Sequence, residues 1–125
     1  MSDEPQVQKN DEYLMLQKIT DMMEYAYVAL RQFPKSERYA MATDMKRCMD
    51  EILRLAIRAR KRYYKKTTLE DMDIEIANLR VLIRLAYRLR FIDMQKYEVW
   101  SGKVDEIGKM LGGWLKTVRQ SKPST

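Results

Sequence analysis

Residues 35 to 101 of this 125-residue chain contain neither glycine nor proline. The seven strong breakers stand at Pro5, Pro34, Gly102, Gly108, Gly112, Gly113 and Pro123, so the long stretches between them must be helical or strand-like. Their period decides for helix. From Asp11 to Gln32, residues Ile19, Met22, Met23, Ala26 and Leu30 recur at spacings of three and four, which is one face of a helix. Phe33-Pro34 ends it. Ser36 is placed to cap a second helix, whose apolar face reads Tyr39, Ala42, Met45, Met49, Ile52, Leu53, Ala56 and Tyr63 as far as Lys65. A tight turn at Lys66-Thr67-Thr68 follows. Thr68 with Asp71 three residues on resembles a helix cap, and Glu70, Asp71 and Asp73 sit where the helix dipole favours negative charge. The third helix runs to about Phe91, with a core face of Leu79, Leu82, Ile83, Ala86 and Leu89. Asp93 is placed to cap a fourth, whose core side reads Tyr97, Trp100, Val104, Ile107, Leu111, Trp114 and Val118. Four amphipathic helices on short links predict an all-α fold, an antiparallel up-and-down four-helix bundle over residues 11 to 120. Residues 1 to 10 and 121 to 125 are expected to be disordered tails.

Charge says more about partners than about fold. Lys and Arg number 24 against 18 acidic residues, a net charge of +6, which favours polyanionic partners. Residues 45 to 66 carry nine basic and two acidic side chains, residues 67 to 79 four acids and no base, and residues 80 to 90 four Arg and no acid. At about 100° per residue, Arg47, Arg54, Arg58, Lys61, Arg62 and Lys65 share one side of the second helix. Arg80, Arg84 and Arg88 form a stripe on the third. A reversal centred near residues 66 and 67 sets Arg62 level with Asp71 and Arg58 level with Glu75, where they neutralise one another. The same register sets Arg54 level with Leu79 and Arg80, and Arg47 level with Ala86, where no acid stands. Arg47, Arg54, Arg80, Arg84 and Arg88 are therefore the central candidates for phosphate contact, with Arg58 and Arg62 beside them. Their being Arg suits bidentate phosphate contacts. The plainer reading is a solvated basic face. Tyr63, Tyr64 and Tyr87 lie near the basic segment and can stack on unpaired bases, although the angle of Tyr63 suits the core.

The third helix has more apolar surface than one bundle interface needs. Ile74, Val81 and Leu85 form a second stripe roughly 120 to 160° from the core centre, and Leu55 and Cys48 lie off-core on the second helix. Self-association through Leu55, Ile74, Val81 and Leu85 is the natural account of such a patch; a wide, irregular core is the alternative. Gly108, Gly112 and Gly113 each cost about 1 kcal/mol inside a helix relative to Ala. A close approach, a bend or a frayed end would explain them.

Chemistry-bearing constellations are missing from the sequence. It has no His and one Cys, Cys48, which removes the usual ligands for zinc and haem and the usual acid-base group. No metal site and no cofactor are expected. Asp71 with Glu75, and Asp105 with Glu106, make no inward-facing carboxylate pair, and neither GxxxxGK nor GxSxG occurs. A non-enzymatic protein is the reading. The start, MSDEPQVQKNDE, has no signal-peptide pattern, and no stretch suits a membrane span, so a cytoplasmic protein is expected.

Three segments carry a resemblance: FPKSERYAMATDMKRCMDEILRLAIRAR, LRVLIRLAYRLRFIDMQKYE and VDEIGKMLGGWLK. With FPK before the second helix, LxxLIRLA in the third and DEIGxMLGGWxK near the end, the chain resembles the accessory variability determinant family of diversity-generating retroelements. A related four-helix-bundle family encoded in ribosomal RNA intervening sequences shares the FPK entry, but this chain lacks that family's SIPxNIAEG-like segment. The resemblance implies a barrel-like pentamer of four-helix bundles, a ring-like homo-oligomer. It also implies association with the retroelement's reverse transcriptase, and binding of RNA or DNA through a basic surface to support mutagenic copying of a template. The competing expectation is an oligomeric protein-protein scaffold of the intervening-sequence type without nucleic-acid binding.

Overall fold

The structure, a computed structural model, describes residues 9–120. The expected tails fall outside the described residues, save that residues 9 and 10 are helical. Four helices follow in order: α1 (Lys9–Leu30), α2 (Met41–Lys61), α3 (Lys66–Arg88) and α4 (Met94–Gln120), with a 3-10 turn at Lys35–Glu37 between the first two. No strand occurs among the described residues. Both α1 and α3 pack on α2 and α4, so the helices form a closed four-membered bundle. Pairs across three of the four interfaces fix antiparallel order: Lys46 with Tyr27, and Lys65 just past α2 with Glu12, for α1 and α2, Lys18 with Glu106 and Lys103 with Tyr25 for α1 and α4, and Arg80 with Asp105 and Arg119 with Glu70 for α3 and α4; the short link between α2 and α3 reverses the chain at the fourth.

The core is the stripe that the period predicts. Met15, Ile19, Met22 and Ala26 of α1 meet Met45, Met49, Ile52 and Ala56 of α2, Leu69, Met72, Ile76, Leu79 and Ile83 of α3, and Trp100, Val104, Ile107 and Leu111 of α4, all buried. Each helix touches two neighbours, so its apolar face is wider than a two-helix seam. That width buries Cys48 and Leu55, the latter 3% exposed. Leu55 is therefore core and not a free association surface.

Several boundaries differ from expectation, each for a local reason. Ser36 caps nothing: it lies in the 3-10 turn, and α2 begins after Ala40, whose φ of −123° and ψ of −99° break the helical phase. Phe33, buried against Phe91 at 5.4 Å between ring centroids, anchors this connection. Carrying the α2 period back across the break put Tyr39 in the core; it is 93% exposed. At the other end α2 stops at Lys61, Arg62 is extended, and Tyr63 is 53% exposed rather than core. Lys65 does not join the basic stripe, because its ammonium turns back to donate to the Ala59 and Arg62 carbonyls and lies 3.9 Å from the buried Glu12 carboxylate. This closes the end of α2 and lets α3 start at Lys66, so Thr68 is a buried first-turn residue instead of a cap. Leu89 is half-exposed beyond the end of α3. Asp93 caps α4 as expected, accepting from the Lys96 backbone N–H at 2.8 Å; that bond, with Lys96's charge, holds its carboxyl below the usual carboxylate range.

Candidate nucleic-acid interface

The register of α2 against α3 decides which arginines stand together. Cys48 Sγ lies 3.3 Å from the Glu75 carbonyl oxygen and 3.6 Å from Asn78 Nδ2, so the reversal is centred near residues 62 and 63. This corrects the expected register by about two turns. Arg47 comes level with the stretch from Ile76 to Leu79 instead of Ala86, and Arg54 with the acidic first turns of α3 instead of Arg80. Arg58 and Arg62 consequently lie beyond Glu75 and Asp71, and neither expected pair forms.

Three of the five central candidates have carboxylate partners. Arg47 Nη1 is 3.3 Å from Asp44, Arg54 Nε 2.9 Å from Asp50, and Arg80 Nε 3.2 Å from Asp105. The expectation that they are uncompensated is corrected: for Arg47 and Arg54 the partner is on the same helix, and for Arg80 it is on α4. Exposed pairs of this kind contribute at most about 1 kcal/mol, so a phosphate can compete for Arg47 and Arg54. Arg80 is held more closely. Its guanidinium lies over Gly108, where a Cβ would come within 3.2 Å of Arg80 Cζ and closer still to Nη2. The glycine thus makes room for a side chain, not for a neighbouring backbone or a bend. Gly112 and Gly113 have open space where a Cβ would be.

Arg84, Arg88, Arg58 and Arg62 are exposed, and among the described residues no carboxylate lies within ion-pair distance of them. Arg84 and Arg88 stand one turn apart on the outward face of α3. About 60° further round that face lie Ile74, Val81 and Leu85, respectively 64%, 65% and 43% exposed. The bundle leaves this apolar stripe open while taking Leu55 for itself.

The other titratable and concave features divide by sign. Cys48 is buried, and burial together with the neighbouring Glu75 carboxylate pushes its thiol up to about 12, which leaves it a poor nucleophile. The cleft beside it is lined by Asp44, Glu51 and Glu75 as well as Arg47. An open cleft of ≈ 670 Å³ at the α3–α4 corner carries Arg88 and Arg90 but also Asp93; Tyr87 lines it with its ring stacked on Tyr97 at 4.5 Å. A third cleft, between α1 and α2, combines Tyr27, Arg31, Arg38, Tyr39 and Lys46. The sequence does not show this group, since the α2 period places Tyr39 inward and only the fold brings Arg31 to Arg38. Among the described residues no group of three His, Cys, Asp or Glu side chains is placed to hold a metal ion, and no helix is long and apolar enough to cross a membrane.

No curated protein matches the chain. The sequence pattern of the bAvd-like family matches residues 13–118, from the second turn of α1 to the last turn of α4. That span takes in all but the first turn of α1 and the last two residues of α4, with the basic face of α3 and the Arg80–Gly108 contact inside it, and the chain belongs to the bAvd-like family.

Proposed function

We propose that the protein is a non-enzymatic accessory factor of a diversity-generating retroelement. In this reading it binds template RNA or DNA through the outward arginines of α3, acts in the cytoplasm as a homo-oligomer, a pentamer by resemblance, and associates with the reverse transcriptase, which carries the chemistry. The observation that carries the reading is the pair Arg84 and Arg88, exposed one turn apart without a carboxylate partner among the described residues of a bAvd-like chain. A bundle face is broad and convex, so phosphate contacts outweigh base-edge contacts and sequence preference is weak. By the observed register Arg58 and Arg62 stand at the α2–α3 connection, about five turns or more along α3 from Arg84 and Arg88, so they would serve as separate phosphate contacts along a bound strand, as would Arg47 and Arg54 when a phosphate displaces their exposed partners.

The ion pairs of Arg47, Arg54 and Arg80, together with the open Ile74–Val81–Leu85 stripe, favour a second reading, a protein-protein scaffold. Replacing Arg84 and Arg88 by Ala separates the two. Exposed helix positions change stability by no more than about 0.5 kcal/mol, so helicity and melting stay as they are. The nucleic-acid reading expects affinity for RNA and DNA to fall together in a filter-binding or anisotropy titration. Unchanged affinity puts the scaffold ahead.

A further inference from the structure

The cleft between α1 and α2 is concave, aromatic and positively charged. Its floor is Leu30 and Ala42, and its walls carry Tyr27, Arg31, Arg38, Tyr39 and Lys46. Unlike the clefts beside Cys48 and at the α3–α4 corner, no carboxylate lines it. Asp44 and Asp50, the acids nearest along α2, are engaged by Arg47 and Arg54. Among the described residues none of Arg31, Arg38 and Lys46 has a carboxylate within ion-pair distance.

The two tyrosines are in different states. Lys46 Nζ lies 5.0 Å from the centroid of the Tyr27 ring, a cation–π contact that covers that ring and holds the ammonium at the cleft. Tyr39 has no such cover among the described residues, and the residue is 93% exposed on the short link that the 3-10 turn and the break at Ala40 form between α1 and α2. An aromatic ring open to water costs hydrophobic free energy that a stacked base would recover, and base stacking is indifferent to sequence because every base has a π face. A duplex keeps its bases stacked on one another and offers this ring nothing. A polyanion with unpaired bases offers it both phosphates and a ring.

We propose that this cleft is a binding site for single-stranded nucleic acid, in which Tyr39 stacks on an unpaired base while Arg31, Arg38 and Lys46 hold the flanking phosphates. The proposal rests on the nucleic-acid reading above and deepens it: α3 supplies phosphate contacts that any strand can make, and the α1–α2 cleft supplies the preference for unpaired template.

The test is an anisotropy titration of labelled single-stranded and duplex RNA of equal length against the full chain and its Tyr39→Ala, Tyr39→Phe and Arg38→Ala/Lys46→Ala variants. Tyr39 packs on nothing that the fold needs, so all should melt like the wild type. Tyr39→Ala should weaken single-strand binding about tenfold, the cost of one lost base–aromatic stack, and leave duplex binding unchanged. Tyr39→Phe should bind as wild type, because the ring does the stacking. Arg38→Ala/Lys46→Ala should make the single-strand log-affinity against log-salt slope shallower by about 0.7 per lost contact. If these variants bind single strands as tightly as wild type while Arg84→Ala/Arg88→Ala does not, the cleft proposal is overturned and the nucleic-acid reading stands. If the wild type binds neither strand form, both fall. Equal losses for single strand and duplex in Tyr39→Ala would overturn the stacking role. Binding of polyglutamate more tightly than single-stranded RNA of equal charge, lost in Arg38→Ala/Lys46→Ala but kept in Tyr39→Ala, would assign the cleft to an acidic protein chain and overturn the proposal as well.

Discussion

Arg90 occupies the position after α3 where a helix ordinarily ends in glycine. Its φ is 64°, its backbone N–H donates to the Tyr87 carbonyl, and the Phe91 N–H reaches the Ala86 carbonyl, each at 2.9 Å. This is the paired closure of a helix C-terminus, and it requires the left-handed conformation that a side chain disfavours by about 1 to 2 kcal/mol. Glycine would relieve that strain and return part of the gain through its freer unfolded chain. Arg90→Gly should therefore raise stability by roughly 0.5 to 1 kcal/mol in urea unfolding; a loss of stability would mean that the arginine side chain makes a contact worth more than the strain. Arg80 makes the converse point. In the sequence it belongs to one stripe with Arg84 and Arg88, and that much is legible at 100° per residue. Which of the three is engaged depends on Asp105 and Gly108 of another helix, and no one-helix reading contains that information.

At the scale of elements, the helices and their inward faces were readable because burial imposes the 3.6-residue period and because Asp93 carries a cap in its own side chain. The ends of α2 were not. Ala40 has no side-chain cap, and Lys65 acts on carbonyls behind it, so neither leaves the signal by which helix ends are recognised. A misplaced end of four residues displaced the α2–α3 register by about two turns and with it the expected grouping of Arg47 and Arg54 with Arg80. Helix α4 tests the other local rule. Gly112 and Gly113 have room for a Cβ, so Gly112→Ala should stabilise the protein by up to about 1 kcal/mol. Gly108→Ala should gain less, since the new methyl group displaces the Arg80 guanidinium and weakens its pair with Asp105. The difference between the two melting curves measures the contact; equal gains would show that the guanidinium moves aside without loss.

At the scale of the whole molecule, the bundle satisfies its core and still leaves Ile74, Val81 and Leu85 open on α3 beside Arg84 and Arg88. The sequence groups Leu55 with them, but it lies two turns beyond Cys48 on the side of α2 that faces α3 and is buried there, whereas Ile74, Val81 and Leu85 lie opposite the core face of α3. An exposed apolar stripe bordered by charge is the ordinary form of an association surface, and a second copy of the chain is the occupant the proposed function calls for. Val81→Glu/Leu85→Glu should yield a folded monomer by light scattering, and a wild-type chain that is monomeric at micromolar concentration would remove the basis for this assembly. Placing the stripe beside the arginines means that assembly would repeat the positive face around a ring, so that one strand meets several copies. The central claim, that this face holds phosphates, is tested most directly by salt. Affinity for single-stranded RNA should fall linearly on a log-log plot as salt rises, and the slope for Arg84→Ala/Arg88→Ala should be shallower than that of the wild type by about 1.4 for two lost contacts. Identical slopes for the two proteins, or a wild-type affinity indifferent to salt, would contradict it.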